Sequence, residues 1–564
     1  MNKILLSNNF NQTEYLRTLA KLGHNTFNLR VLNENELLSY ILECGSLLPD
    51  GEFISSKEAD YIFYHLGSGD FNDAKNLRSA VDSYRDSVSG DVLPSLDDNL
   101  TNDFSEKKEL IKSSYKAYVD YKNNNHLYDK HDLINYIISK DIKLDIEVDY
   151  YEEFGISKLY LEMLNKVFSK IKAISLNDTF ETKNNDIHFV KAFGKPCEAD
   201  YVLSMIQKYP LDECQIILTN NADALEIIKT LEMLNIPYTS HIGSPIISTK
   251  AGTLLNYLFN LERLSFGIDG YKELFDYKYF NSQAFKDLIP SDVSKPERVF
   301  SDFIKYTGWL RLNFNSEPQD IHQDLYKDYI YQMLIKLQES LSKGRAEFIR
   351  EYIVDPSPID NQIIDSIKRI EEASIRYGFD IKDVLIDYLS GSVNKKISTS
   401  GHLYITDINS ALSSLRKHTF IIGLTSDFPG GPKENYLIFD EEYEKTGSDL
   451  YISKQIVKRK EKVLHALVDA APDLYLTYPY FEIGSLEDKN PSSIIFDLYQ
   501  GDVAKMDEYG YKDMALSMNK DVFKARINNN KSDLPSNSIS LPYSSKAILE
   551  KTYSPSGFYY YFTE

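Results

Sequence analysis

A chain of 564 residues, 42% of them apolar, is long and apolar enough to form several hydrophobic cores, which argues against a disordered protein. Its net charge of −21 argues against a nucleic-acid binder that relies on overall positive charge, but it allows a locally basic channel. The three cysteines, Cys44, Cys197 and Cys214, form no CxxC pair and favour a reducing compartment over a disulfide framework or a zinc site.

The amino-terminal segment has no features of a targeting sequence. Its first ten residues contain one lysine and a three-residue apolar run. No apolar stretch in the chain approaches the roughly 18 residues that a membrane-spanning helix needs. The sequence therefore predicts a cytoplasmic protein that does not enter a membrane.

Strands and helices alternate at the start of the chain. Strands are predicted over 3–6 and 27–32, and helices over 12–21 and 34–44. This βαβα order is typical of a parallel sheet. A nucleotide-hydrolysing motor would carry glycines and a lysine directly after the first strand, whereas segment 7–12 has neither. Because GxxxxGK[ST] occurs nowhere else in the chain, ATP hydrolysis is not expected.

Residues 51–140 are predicted to be mostly helical. Ser55 or Ser56, followed by Glu58, forms a helix-start pattern. Further helical segments are predicted over 74–88, 104–121 and 131–139. Together they predict a helical subdomain inserted into the α/β layout.

A strand is predicted to return over 141–151, with acidic residues at and after its end. Asp149, Glu152 and Glu153 are where a metal-binding carboxylate pair would be sought. We interpret them as solvent-exposed charges, because a carboxylate pair without a phosphate loop has no nucleotide to serve.

From residue 187 the alternation becomes regular. Strands are predicted over 187–192, 214–218 and 237–240, and helices over 198–208, 221–234 and 250–261. This order predicts a doubly wound parallel domain. A helical insertion is predicted to follow it, and this insertion contains the only tryptophan, Trp309. Trp309 could stack on a base, but we interpret it as a packing anchor.

Two short apolar runs, 402–408 and 420–424, are predicted to be buried strands. A polar connector containing Arg416 separates them, and the second run leads into a turn at Phe428-Pro429. Open α/β sheets bind their ligands where chains leave the carboxyl edge. A functional site is therefore expected after the second of these strands.

The segment 401–431 resembles the second motor domain of superfamily-one helicases, in the form found in the B subunit of the AddAB helicase-nuclease and its RecC-like relatives. The residues that carry the resemblance are Arg416, the pair Gly423-Leu424 and the pair Phe428-Pro429. An ordered series upstream is also similar to that domain: Glu198-Ala199, the strand 216–219, Asn235-Ile236-Pro237 and the helix 249–258. The first predicted domain resembles the family only in its layout.

The resemblance also implies what the chain lacks. In active helicases, an arginine at the end of the helix before the last core strand reaches the outer phosphate of the nucleotide. Here that helix is predicted over 456–470 and the strand over 474–478, and 465–471 contain no arginine. We therefore expect no catalytic residue, no bound cofactor and no ATPase activity within this chain.

The carboxyl-terminal part is predicted to be a polar linker that leads to a further domain. Residues 553–562 resemble the Ser-Pro-Ser opening of the PD-(D/E)XK nuclease domain that ends AddB-like proteins. The Mg-binding residues of such a nuclease would lie beyond Glu564. The ten histidines show no HxH or HxxxH pairing, so no metal site is predicted within the chain.

Taken together, these patterns predict an α/β protein with two RecA-like parallel-sheet domains and large helical insertions. The predicted parts are the first RecA-like domain (1–75 and 141–184), a helical insertion (76–140), the second RecA-like domain (185–262 and 401–480), a second insertion (263–400), a linker (481–545) and the start of a nuclease-like domain (546–564).

The function that the resemblance implies is a DNA-binding, non-hydrolysing scaffold in a DNA repair and recombination helicase-nuclease. Its expected partners are single-stranded or forked DNA and a partner helicase or nuclease subunit. By resemblance, the candidate DNA contacts are Thr406, Ser410 and Arg416, with Arg416 supplying charge. For Arg416, pairing with a nearby carboxylate is an equal alternative.

Two other classes of function stay open from the sequence. One is a nucleotide-dependent helicase with a degenerate ATP site. The other is a protein-interaction scaffold, for instance in a phage-defence complex, that never touches DNA. Nucleotide binding would support the first class, and salt-dependent DNA affinity would argue against the second.

Overall fold

The structure is a computed structural model, and it divides the chain into two units, Met1–Tyr509 and Gly510–Glu564. It describes residues 3–67, 69–88, 92–100, 105–180, 186–263, 273–274, 277–281, 327–393, 401–499 and 501–516. Trp309 and the predicted nuclease-like start at 546–564 lie outside the described residues. The second unit is described only over 510–516, so the fold below is that of the first unit.

The strands, numbered in chain order, are β1 (Lys3–Leu6), β2 (Leu29–Leu32), β3 (Glu52–Phe53), β4 (Leu127–Tyr128), β5 (Leu144–Tyr151), β6 (Phe168–Ile174), β7 (Asp186–Ala192), β8 (Cys214–Leu218), β9 (Tyr238–Ser240), β10 (Ser244–Pro245), β11 (Ser392–Val393), β12 (Leu403–Asp407), β13 (His418–Ile422), β14 (Asp473–Pro479), β15 (Phe481–Glu482), β16 (Glu487–Asp488) and β17 (Asp507–Tyr509).

The helices are α1 (Gln12–Lys21), α2 (Glu34–Gly45), α3 (Ser56–Leu66), α4 (Phe71–Ser87), α5 (Val92–Asn99), α6 (Ser105–Asn124), α7 (Lys130–Ser139), α8 (Lys158–Val167), α9 (Leu176–Thr179), α10 (Gly194–Ile206), α11 (Ala224–Met233), α12 (Lys250–Arg263), α13 (Lys327–Ser342), α14 (Arg345–Tyr352), α15 (Pro358–Tyr377), α16 (Ile381–Ser390), α17 (Asp440–Thr446), α18 (Ser453–Ala470) and α19 (Ser493–Leu498). Within the described residues, none of these helices combines the length and the apolar character needed to cross a bilayer.

Two parallel sheets organise the unit, which confirms the predicted α/β class. The first has the order β2-β1-β5-β6, and the second has the order β17-β7-β14-β13-β8-β12-β9. All strand pairs within both sheets are parallel. The second sheet takes strands from both 185–262 and 401–480, an arrangement consistent with two RecA-like domains. The exact boundaries proposed for the domains stay predictions.

The central strands of the second sheet are buried on both faces. Every residue of β8 and of β13 is buried, as expected for parallel strands covered by helices on both sides. Ile216 and Phe420 pack into an apolar cluster with Leu203 on one face, while Ile217 and Ile421 join a different cluster on the other face. Burial on both faces fixes the register of these strands.

The two predicted helical insertions are not separate bodies. Tyr118, from the first predicted insertion, shares one apolar cluster with Ile367 and Leu385, from the second. Ile62 and Leu254, from the parts predicted as RecA-like domains, belong to the same cluster. Helix α3 begins as predicted, because Ser55 and Glu58 form a reciprocal capping box at its start. The helices thus fold into one helical body, which the sequence divided into two.

The structure differs from the linker predicted over 481–545 within the part that it describes up to Tyr509. Residues Asp507–Tyr509 form β17, which pairs in parallel with β7 and so becomes the edge strand of the second sheet. Ile495 and Met506 are buried in the apolar cluster beneath that sheet. The polar composition hid these elements, because a three-residue strand and a six-residue helix are too short to show a periodic pattern.

The prediction that Asp149, Glu152 and Glu153 are solvent-exposed is wrong for the first and third of these residues. Asp149 is buried, and its Oδ2 lies 2.6 Å from Lys3 Nζ on the neighbouring strand. Glu153 is also buried and accepts a 2.7 Å hydrogen bond from Ser175 Oγ at the start of α9. Tertiary partners, which sequence spacing does not reveal, make this burial possible, although Asp149 Oδ1 has no hydrogen-bond partner among the described residues.

Candidate functional site

The loop after β1, where an active motor would hold phosphate, is packed with aromatic rings. Phe10 is buried, and its ring centroid lies 5.1 Å from that of Tyr15 and 5.4 Å from that of Phe154. Tyr151 joins the cluster through its hydroxyl, 2.8 Å from that of Tyr15. An apolar ring therefore fills the turn in which backbone N–H groups of a phosphate-binding loop would face a ligand.

An amide group at the start of α1 is also occupied. Asn11 caps this helix, and its side chain accepts a 3.2 Å hydrogen bond from the Glu14 backbone N–H. The Asn11 oxygen is therefore the acceptor at a position where a nucleotide phosphate would otherwise bind. In the same loop, the Asn8 side chain accepts a 3.0 Å bond from the Glu34 backbone N–H and so joins the loop to the start of α2.

A second candidate site lies at the carboxyl edge of the seven-stranded sheet. A cavity of about 540 Å³ opens there, beyond the ends of β7, β8, β13 and β14. Its lining includes Lys195, Thr219, Thr425, Phe428, Phe481 and Lys489. The site expected after the strand 420–424 is therefore matched by a cavity, at the edge where α/β sheets bind ligands.

Helix α10 brings Lys195 to this cavity. The chain leaves β7 through Gly194, which has a φ of +76°, and a side chain there would meet Ile483 Cδ1 at 3.1 Å. Lys195 follows in the first turn of the helix, and its Nζ lies 2.8 Å from Asp223 Oδ1. The helix amino terminus adds partial positive charge at the same place.

The second lysine of the cavity comes from the chain after the β15–β16 hairpin. Lys489 Nζ lies 3.1 Å from Glu482 Oε2 and 3.6 Å from Asp427 Oδ2. Both cavity lysines thus have carboxylate partners on the rim. An anionic ligand would have to exchange with these carboxylates, whereas neutral parts of a ligand could lie against Phe428 and Phe481.

A buried carboxylate forms part of the floor beneath the cavity. Glu198 is 3% exposed, and its Oε1 accepts hydrogen bonds from the Gly423 backbone N–H at 2.9 Å and from Thr477 Oγ1 at 2.6 Å. Burial raises the pKa of Glu198 to about 7, although the two hydrogen bonds oppose this shift. The carboxyl ties α10 to the ends of two central strands.

Gly423 is required in this floor. Its φ is +75°, and a Cβ atom at this position would come within 2.7 Å of Thr219 Oγ1. Thr219 in turn donates a hydrogen bond to the Gly423 carbonyl at 2.8 Å. The Gly-Leu pair that the sequence singled out thus shapes the cavity through the backbone.

The DNA contacts expected from the resemblance are placed elsewhere. Thr406, Ser410 and Arg416 are 0%, 3% and 8% exposed, and none of them lines the cavity. Ser410 Oγ donates to Asp407 Oδ2 at 3.2 Å. Thr406 lies in the carboxyl half of β12, and Ser410 follows that strand. Arg416 lies just before β13, at the opposite edge of the sheet. The structure therefore does not bring the three residues together.

Arg416 supports the amino edge of the sheet. Its Nη1 donates to the His402 carbonyl, just before β12, at 2.7 Å. It also donates to the Leu211 carbonyl, near the start of β8, at 3.3 Å. Its guanidinium lies over the Tyr404 ring, 5.3 Å from the centroid. These contacts use the arginine to satisfy backbone carbonyls inside the protein.

Sequence reasoning missed the two cavity lysines. A signal for Lys195 was present, since a Gly-Lys pair follows the strand 187–192 and opens a helix. No such signal marked Lys489, which lies in the segment predicted to be a linker. In the part of the chain that the structure describes, no group of three or more His, Cys, Asp or Glu side chains is arranged to hold a metal ion.

The fold and this cavity define the chain as an α/β protein with a polar site at the carboxyl edge of a parallel sheet. Comparison with models of known protein families and with curated proteins gave no match.

Proposed function

We propose that this chain is a DNA-binding, non-hydrolysing body with the helicase-like architecture of AddB-type and RecC-type helicase-nucleases. In this role it would serve DNA repair and recombination as a scaffold for a nuclease and a partner helicase. The observation that carries the proposal is a contrast between the two sheets. Segments 185–262 and 401–480, which hold the helicase-like motifs, share one sheet, while Phe10 fills the loop after β1.

The cavity at the carboxyl edge supplies groups suited to a single strand. Lys195 and Lys489 would contact phosphates, and a base would lie against Phe428 or Phe481. In single-strand binders, stacking on an aromatic ring contributes about 1 to 3 kcal/mol per base. When DNA binds, the lysines would leave their carboxylate partners on the rim, and these carboxylates would then repel the strand. We therefore expect the affinity for DNA to be modest and sensitive to salt.

The first experiment measures DNA binding by the purified chain. Fluorescence anisotropy with a labelled oligothymidine should show affinity that falls as the salt concentration rises. A double variant, Lys195→Gln with Lys489→Gln, should flatten the slope of log affinity against log salt by about 1 to 1.5, because each phosphate contact in a single strand contributes about 0.7. Glutamine removes the positive charge and keeps a polar side chain, slightly shorter than that of lysine.

The matched control removes the same charge elsewhere. Lys343 and Lys382 are exposed and lie outside the cavity lining, so replacing both by Gln should leave the slope unchanged. Equal salt slopes for the wild type, the cavity variant and the control variant would show that DNA contacts the protein outside the cavity. Absence of binding at low salt would contradict the proposal and favour a protein-interaction scaffold.

A second experiment tests whether the chain binds a nucleotide. Because Phe10 and Asn11 occupy the loop after β1, millimolar ATP with Mg should leave the thermal unfolding midpoint unchanged. A ligand present at 100 times its dissociation constant stabilises a folded protein by about 2.7 kcal/mol, which such a measurement detects readily. A clear upward shift of the midpoint would favour a nucleotide-dependent helicase instead.

A further inference from the structure

A row of lysines runs along the outer face of α18. Lys454, Lys458 and Lys462 are four residues apart, so they lie along one side of the helix with a rise of about 6 Å between neighbours. All three are exposed. In the described part of the chain, none of the three forms an ion pair. We call these three residues the lysine row.

The opposite side of α18 fixes its orientation. Val463, Leu464 and Leu467 are buried in the apolar cluster between the two sheets. Arg459 holds the amino-terminal half, because its Nη2 donates to the Asp449 carbonyl at 3.0 Å and also to the Leu450 carbonyl. The helix therefore presents the lysine row to solvent as a fixed feature.

Helix stability does not account for the lysine row. The amino terminus of α18 is already capped by the Asp440 carboxylate, which accepts hydrogen bonds from the Ser453 backbone N–H at 2.9 Å and from Ser453 Oγ at 2.6 Å. Lys454, in the first turn, lies beside the positive end of the helix dipole and therefore adds nothing favourable to it. Five of the ten residues 453–462 are basic and one, Glu461, is acidic, in a chain whose net charge is −21. The helix therefore concentrates exposed positive charge on an acidic protein, which favours an anionic partner.

The chemistry of the face selects one class of partner. The exposed residues of α18 are all polar or charged: Lys454, Lys458, Lys460, Lys462, His465 and Asp469. A protein partner would need an apolar centre on this face, and a membrane surface would need apolar side chains beside the lysines. A regular row of point charges without apolar neighbours suits the repeating phosphates of a nucleic-acid strand.

We propose that the lysine row is a second contact for the phosphate backbone of DNA, separate from the cavity at the carboxyl edge. This inference rests on the proposed DNA-binding function and adds a site to it. The row supplies charge along a line and no groups that read bases, so its contribution is independent of sequence. It would extend the length of strand that the protein holds.

The test neutralises the lysine row in the whole chain. A triple variant, with Lys454, Lys458 and Lys462 each replaced by Gln, should lower the slope of log affinity against log salt for a labelled single strand by about 2. Two controls are matched to it. Lys460→Gln removes an exposed charge that lies about 200° around the helix from Lys458. A second triple variant, with Lys21, Lys343 and Lys382 each replaced by Gln, removes the same total charge from other helices and loops.

Both controls should keep the wild-type slope, and thermal midpoints should be equal in all proteins because every changed residue is exposed. Wild-type binding with an unchanged slope in the lysine-row variant would overturn this inference and leave the proposed function standing. The same slope change in the second triple variant would also overturn it, since general charge would then explain the effect. No DNA binding by the wild-type chain would overturn both.

Discussion

Replacing Asp129 by Asn should lower the free energy of unfolding by about 3 to 5 kcal/mol, the range for breaking a buried ion pair by removing one partner. Asp129 caps helix α7 within the helical body. Its carboxylate accepts two hydrogen bonds from Arg85, at 2.7 and 2.9 Å, and a third from Lys122 Nζ at 2.7 Å. One carboxylate therefore joins helices α4, α6 and α7.

The expected loss of stability is large because two cations would stay buried while losing the negative charge that they share. Arg85 and Lys122 are 3% and 2% exposed. Burial alone would raise the pKa of Asp129, but the charges of Arg85 and Lys122 outweigh it and hold that pKa well below its usual range. Asp132, which also contacts both cations, keeps part of the compensation, so the lower end of the range is expected.

A matched control separates burial from chemistry. Glu52 and Arg376 form a similar two-bond pair, at 2.9 and 2.6 Å, but both residues are exposed. Glu52→Gln should cost no more than about 1 kcal/mol. Urea unfolding followed by circular dichroism would compare the two variants. Equal small losses would show that the Asp129 cluster contributes no more than a surface pair.

Glu198 should make the stability of the second sheet depend on pH around neutrality. Burial raises the pKa of Glu198 to about 7 in the folded protein, so between a glutamate's ordinary pKa and pH 7 the folded state binds more protons than the unfolded chain. Stability from this group is therefore fully present below the ordinary pKa and is lost as pH rises through about 7. The loss is about 3 kcal/mol, since one pKa unit corresponds to about 1.4 kcal/mol.

Glu198→Gln should remove this dependence. The amide oxygen can still accept the hydrogen bonds from Gly423 and Thr477, and no charge forms at high pH. The variant should unfold at a higher temperature than the wild type at pH 8.5 and at a similar temperature at about pH 4, below a glutamate's ordinary pKa. Glu482→Gln, on the exposed hairpin beside the cavity, is the control and should leave the pH profile unchanged. Parallel profiles for wild type and Glu198→Gln would contradict this account.

Local patterns predicted the fold class well. The alternation of short apolar runs with amphipathic helices indicated parallel sheets, and the strands predicted at 214–218 and 402–408 lie side by side as β8 and β12. The Ser55 and Glu58 pattern marked the start of α3 correctly. These features depend on residues that are close in sequence, so the sequence alone is enough to predict them.

The candidate site was predicted less completely. The turn after β13 was expected to form a site, and a cavity is present there. Its lysines come from the start of α10 and from beyond β16, positions about 300 residues apart in the chain, which the sheet brings to one edge. Thr406, Ser410 and Arg416 have the residue types that contact phosphate, but burial places them inside the protein.

The sequence alone determined the alternation of strands and helices, the absence of a phosphate-binding loop motif and the turn at which the chain leaves the second sheet. Only the tertiary structure decided which polar side chains are buried, which lysines share the cavity, and that two helical insertions form one body. The physical reason is that periodicity and turn chemistry act between residues near in sequence, whereas burial and ion pairing depend on strand order and packing between residues hundreds of positions apart.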